Sequence, residues 1–167
     1  MKSILIFVHD LYEDLELWYP KIRLEEAGYT TVVAAPEAKK TYHGKHGYPC
    51  VSDQSFSGIS SKDFAGLFIP GGYAPDKLRR DKKVLSLTRE FYDMHKMVAF
   101  ICHAGWVPIS AKILKDKKAT STLAIRDDME NAGCVWLDDS VVIDGCLVSS
   151  RNVGDLPHFT KAMLKVL

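Results

Sequence analysis

Four short apolar runs constrain this chain more than any other feature. Lys2–Val8, Thr30–Ala35, Gly66–Ile69 and Met97–Ile101 are dominated by Val, Ile, Leu, Phe and Ala, and each is closed by polar or turn residues. Runs of that length and composition read as buried strands. Segments of near-helical spacing separate them. Asp14–Ala27 carries Leu15, Leu17, Trp18, Ile22 and Leu24 and is stopped by Gly28, with Pro20 inside it as a source of a kink. Lys82–His95 carries Val84, Leu85, Leu87, Phe91 and Met94. Further helices are predicted over Gly105–Leu114, over Ala124–Ala132 closed by Gly133, and over Asp155–Leu167. Cys134–Leu137 and Val141–Ser149 read as two more strands, the second bent or split at Asp144-Gly145. Lys39–Ser55, with Gly44, Gly47 and Pro49, reads as a hairpin or a long loop. Strands alternating with helices predict βαβ units, a mainly parallel sheet and helices on both faces. Ligand sites in such sheets lie beyond the carboxyl ends of the strands. The loops after Val8, Ile69 and Ile101 are therefore the candidates, expected side by side.

Length and charge narrow the function classes. With 167 residues, 47% hydrophobic and 26% charged, the chain suits one domain over residues 1–167. A formal net charge of +1 gives no electrostatic reason to expect nucleic acid or an anionic membrane as partner. No apolar run approaches the ~20 residues needed to cross a bilayer. His9 and Asp10 cut the N-terminal apolar run too short for a signal peptide, which predicts a first strand and a cytoplasmic protein. The cysteines are Cys50, Cys102, Cys134 and Cys146, none in a C-x-x-C arrangement. Reduced thiols are expected, with Cys50, Cys134 and Cys146 filling space as small apolar groups. There is no Walker loop or G-x-G-x-x-G, so no nucleotide cofactor is expected. His43 and His46 read as loop residues rather than metal ligands, and no metal or other cofactor is predicted.

Cys102 is different. It follows the strand Met97–Ile101 and opens the small-residue turn His103-Ala104-Gly105. A strand that turns at once into a helix is how α/β folds present a nucleophile near the positive end of a helix dipole. A thiol placed there is expected to have a lowered pKa. Polar groups occupy the other two strand ends. Glu13 and Asp14 read as acids complementing the first helix dipole, while Glu16 sits a turn deeper on a helix that must face the sheet. Protonated, Glu16 would donate to a Cys102 thiolate; ionised, it would accept the thiol proton. Pro70-Gly71-Gly72 after the third strand reads as a turn or as a backbone surface for a ligand. In the second reading Gly71, Gly72, His103 and Ala104 supply the oxyanion and substrate-binding backbone, with the amides of Gly72 and His103 the natural pair. Neighbouring side chains on a sharp turn diverge, so His103 acts as a base only if it turns back toward Cys102. An inert core thiol in a binding domain is the plain alternative.

With these residues in view, the chain resembles the ThiJ/PfpI family, in particular the PfpI-type branch once described as intracellular proteases. The resemblance rests on residues 7–20, 44–48 (Gly-Lys-His-Gly-Tyr), 69–76 (Ile-Pro-Gly-Gly-Tyr-Ala-Pro-Asp), 101–105 (Ile-Cys-His-Ala-Gly), 127–133 and 149–157, all in order. It implies a flavodoxin-like α/β/α sandwich of the class I glutamine amidotransferase kind, with Cys102 at a nucleophile elbow and Glu16 against its thiol. It also implies that His103 is joined by an acid of a neighbouring subunit, a position held here by Asp76. The site would then lie near the interface of a homodimer or of a hexamer built from dimers. The activities implied are deglycase or glyoxalase chemistry on small carbonyl compounds, peptidase or amidase chemistry on short peptides, and stress-protective redox sensing or chaperoning. The leading expectation is a cofactor-independent cysteine hydrolase acting on small dicarbonyls or glycated adducts. One departure stands out: many relatives continue Cys-His-Gly, where this chain has Cys102-His103-Ala104-Gly105-Trp106. The bulky Trp106 is expected to reshape the pocket or fill a core site.

Overall fold

The structure is a computed structural model that describes residues 2–167. Its elements in chain order are β1 (Ser3–Phe7), α1 (Asp14–Glu26), β2 (Thr30–Ala35), β3 (Thr41–His43), β4 (Pro49–Val51), β5 (Gln54–Ser55), β6 (Gly66–Ile69), α2 (Ala74–Leu78) and α3 (Lys82–Asp93). They continue as β7 (Met97–Ile101), α4 (Trp106–Ser110), β8 (Lys118–Ala119), α5 (Arg126–Asn131), β9 (Val135–Trp136), β10 (Val141–Asp144), β11 (Leu147–Ser150) and α6 (Leu156–Val166). Seven strands form one sheet in the order β10-β11-β7-β6-β1-β2-β5. Every pairing in it is parallel except β10 with β11, the hairpin that turns at Gly145. The flavodoxin-like α/β architecture expected from the sequence is the one observed.

Handedness assigns the helices to layers. The chain steps from β1 to β2 in one direction and from β6 to β7 in the other. Right-handed crossovers therefore put α1 and α3 on opposite faces. On its face α1 packs with α6; on the other, α3 packs with α4. The reversal lies between β1 and β6, and the crevice beyond their carboxyl ends is where such sheets hold ligands. The β7, β6 and β1 strands are adjacent, so the three candidate loops do stand side by side.

Packing explains most of the predicted elements and corrects several. Along α3, Val84, Leu87 and Phe91 bury one stripe, and the Asp81 carboxylate caps the helix by accepting from the Lys83 and Val84 amides at 2.7 and 3.3 Å. On α6, Leu156, Phe159 and Met163 do the same, with Phe159 against Phe68 at 5.9 Å between ring centroids. In contrast, α1 does not use its apolar residues as one face. Leu17 and Leu24 are buried beside Glu16 and Pro20, whereas Leu15 and Ile22 are 58% and 55% exposed. This helix runs across Pro20 to Glu26. The helix expected over Gly105–Leu114 is shorter: a 3-10 turn spans Cys102–Gly105 and α4 occupies only Trp106–Ser110. Likewise a 3-10 turn over Leu123–Ile125 precedes the short α5. The Lys39–Ser55 region is a hairpin, β3 antiparallel to β4, ending in the edge strand β5. Cys50 and Cys134 are buried as expected, but Cys146 is only half-buried. No helix among the described residues is long and apolar enough to cross a membrane.

Candidate active site

Cys102 is the first residue beyond β7. Ile101 is extended at φ −135°, and Cys102 swings to φ +61° before the 3-10 turn begins. A non-glycine residue in that region costs about 1–3 kcal/mol, a strain that the surrounding structure must hold. Here it lifts the side chain out of the sheet toward the β1 and β6 loops. Those loops are stapled together. The Glu13 amide donates to the Gly71 carbonyl at 3.1 Å, and the Tyr73 amide donates to the Leu11 carbonyl at 2.8 Å. This approach is too close for side chains. A Cβ on Gly71 would sit 2.3 Å from Glu16 Oε2 and 2.8 Å from Cys102 Cβ. At Gly72, φ is +81° and a Cβ would meet the Glu13 nitrogen at 2.4 Å.

Glu16 meets the thiol from α1. Its residue is 1% exposed, and Oε2 accepts the Gly71 amide hydrogen at 3.0 Å. Burial pushes its carboxyl up to about 8, reinforced by the charge of Glu13 and opposed by the Gly71 amide, Lys45 and a hydrogen bond with Cys102. Glu13 is itself buried and caps α1, its Oε2 accepting from the Glu16 amide at 2.8 Å. Asp14 has a different task from the dipole role read from sequence. Its two carboxylate oxygens accept the amides of His46 and Tyr48, each at 3.0 Å, and so clamp the β3–β4 hairpin over the site.

The thiol does not have the lowered pKa that its turn suggested. Burial, followed by the charge of Glu16, pushes it up to about 12, against the pull of the His103 and Gly72 amides and Lys45. A helix dipole acts only within its first turn, and α4 is five residues long and begins four residues after the sulfur. Glu16 and Cys102 thus compete for protons as a pair. The first proton to leave leaves one behind, shared between oxygen and sulfur with a single negative charge.

His103 does turn back: its Nδ1 lies 3.3 Å from Cys102 Sγ. Burial and Lys45 lower its pKa. Its ring packs on Trp106, 5.2 Å between centroids and tilted by 58°. The Trp106 indole N–H donates to Asp128 Oδ2 at 2.8 Å, and the Arg79 guanidinium lies 5.5 Å from its ring centroid. Trp106 is half-buried against the histidine rather than lost in the core. Within the protomer Asp76 is not brought to this group. It lies on α2, half-exposed, and pairs with Arg80 at 2.5 Å. The Gly71 amide is engaged by Glu16, which leaves the Gly72 and His103 amides facing the sulfur. Ala104 is buried in the turn.

A cleft of about 430 Å³ opens over Cys102, walled by Glu13, Glu16, His103, Gly72 and also by Lys45, His46, Tyr73, Asn152 and Val153. Sequence reasoning gave these last five no role, although all lie within the ordered motifs. Glu13, Asp14 and His46 bring one ligand atom each within 4.8 Å of one another. Of these, Asp14 anchors the hairpin through the His46 and Tyr48 amides, while Glu13 caps α1.

Known proteins resemble this chain over its whole length. The chain is 43% identical over 165 residues to "Deglycase TK1284" of Thermococcus kodakarensis, with 99% of each chain covered. It is 42% identical over 165 residues to "Deglycase PfpI" of Pyrococcus furiosus, again with 99% of each covered. Among solved structures it matches a two-domain Anabaena variabilis protein with DJ-1/ThiJ/PfpI-like and ferritin-like domains at TM-score 0.97 and 37% identity. That match covers 99% of this chain and 48% of the other, so the chain spans about half the length of that protein. Names of this kind among whole-length relatives support an enzyme role. The DJ-1/PfpI family pattern is matched from residue 2 to residue 166, through every loop that builds the cleft, and the chain belongs to that family.

Proposed function

We propose that this chain is a cofactor-independent cysteine hydrolase acting on small dicarbonyls or glycated adducts, with Cys102 as nucleophile. One observation carries the reading: a buried carboxyl raised to about 8 and two backbone amides converge on a strained thiol at the floor of a small cleft. The remaining proton of the pair rests mainly on sulfur, and the reactive form is the minor arrangement in which it has moved to Glu16 and left the charge on sulfur. The thiolate attacks an aldehyde carbon, a C–S bond forms, and the carbonyl π pair moves to oxygen. The amides of Gly72 and His103 receive that oxygen, and Glu16 supplies its proton, giving a hemithioacetal. His103 then removes the proton on the former aldehyde carbon, and a proton returns at the adjacent carbon, leaving a thioester. Water cleaves the thioester, which releases a hydroxy acid and restores the thiol. Oxidation of one carbon balances reduction of its neighbour, so water is the one co-reactant needed.

Cys102→Ser is expected to abolish turnover of methylglyoxal while circular dichroism shows an intact fold. Wild-type protein that turns over neither dicarbonyls nor glycated adducts overturns the reading. The 3.3 Å approach of His103 to the sulfur favours a second reading, a cysteine amidase on short peptides. Hydrolysis of a fluorogenic peptide that disappears in the same variant would select it. Self-association belongs to both readings. The exposed Leu15 and Ile22 of α1 offer an apolar surface to a second copy, and Asp76, turned away from its own His103, would serve the partner's site.

A further inference from the structure

Lys45 is the one cation on the wall of the Cys102 cleft among the described residues, apart from the imidazoles of His46 and His103. Its backbone is fixed from three sides. The Lys45 amide donates to the Tyr12 carbonyl at 2.8 Å, Asp14 accepts the His46 and Tyr48 amides, and the Gly44 amide donates to the Tyr48 carbonyl at 2.9 Å. Gly44 is needed for this clamp, since a Cβ there would lie 2.3 Å from Asp14 Oδ1. Among the described residues no carboxylate lies within ion-pairing distance of the Lys45 ammonium, although two acids share its cleft. Glu13 gives one oxygen to the α1 cap, and Glu16 gives one to Gly71. The field of Lys45 nevertheless reaches Cys102, Glu16 and His103 alike. A built strap thus holds an exposed, unpaired positive charge on the wall of the cleft that contains Cys102.

We propose that Lys45 is a specificity-determining residue that selects small anionic dicarbonyls, which carry a carboxylate beyond the aldehyde–ketone pair, over neutral dicarbonyls. The inference rests on Cys102 being the nucleophile of the proposed hydrolase. The ammonium would hold the carboxylate while the Gly72 and His103 amides face the carbonyl oxygen. A merely compensating role, in which Lys45 offsets the negative charge of the Glu16–Cys102 pair, would change thiol reactivity toward all reagents equally.

The test compares alkylation of Cys102 by iodoacetate and by its neutral counterpart iodoacetamide, followed by peptide mass spectrometry in wild type, Lys45→Met and Lys45→Arg. Thiolate content cancels in the ratio of the two rates. The iodoacetate-to-iodoacetamide ratio is expected to fall about fivefold in Lys45→Met, the effect of one solvent-accessible charge contact, and to recover in Lys45→Arg. Turnover of the anionic 2-oxoaldehyde 4,5-dioxopentanoate relative to methylglyoxal should fall in parallel, through KM. A ratio unchanged from wild type overturns the proposal. A ratio that falls in a protein turning over neither carbonyl supports the anion site and sinks the hydrolase reading alone. Failure of both reagents to label Cys102 in the wild type overturns both.

Discussion

Helices α3 and α1 occupy opposite faces of the same sheet and obey opposite rules. In α3 the apolar pattern and the burial pattern coincide: Val84, Leu87 and Phe91 face the sheet, and charged residues face water. In α1 they diverge. The helix buries an acid, Glu16, and leaves Leu15 and Ile22 in solvent. Burying an ionisable group is unfavourable, and exposing large aliphatics on a helix gains nothing for a lone protomer. One helix follows the demands of the core, the other carries a buried acid to the Cys102 cleft at its N-terminal end. A violated pattern was thus more informative about function than a satisfied one.

Substitutions can break this contrast, in order of decreasing effect. Phe91→Ala should cost about 3–5 kcal/mol in denaturant unfolding, the range for a buried aromatic, while the folded fraction keeps its Cys102 alkylation rate. Loss of thiol reactivity without loss of stability would show that α3 serves the site after all. Glu16→Gln should do the reverse: turnover falls at least about a hundredfold, while the protein is stabilised. The sign follows from the raised carboxyl. Native protein holds this proton up to about 8, whereas the unfolded chain releases it near 4.5, so stability falls as pH rises between those values. The advantage of the glutamine variant should therefore grow by up to about 1.4 kcal/mol per pH unit across that window, read from thermal melts at several pH values. A pH-independent difference would contradict a buried, protonated Glu16. Leu15→Ser with Ile22→Ser should shift protomer stability by no more than about 0.5 kcal/mol per site. Its effect should appear in sedimentation as weakened self-association, and an unchanged sedimentation coefficient would leave α1 without a partner.

How far the sequence could be read depended on the range of the interactions. The strands β1, β2, β6 and β7 were legible because burial on both faces writes an apolar run into consecutive residues. Strand β8 contributes two residues, too few to leave a period, and it exists through its pairing with Val135–Trp136, the part of the predicted Cys134–Leu137 strand that forms β9. The three loops of the site were legible from fold rules, and Glu16 and Cys102 from their turn contexts. The thiol pKa was misjudged because a local cue, the helix start, was outweighed by burial and by a carboxyl eighty-six positions away in the chain. Lys45 had no legible role at all. Its place on the cleft is set by Asp14, thirty-one residues earlier, through amides that carry no side-chain signature.

The staple between the β1 and β6 loops has a consequence for how the chain could be divided. The segment from β6 onward carries Cys102, His103 and both glycines of the cleft, whereas Glu16 and the hairpin clamp belong to the segment before it. A break in the backbone between β5 and β6 would therefore separate the sulfur from its proton partner without removing either. The chemistry of Cys102 would then report on reassembly of the two fragments, because the acid reaches the thiol only when β1 slots back beside β6.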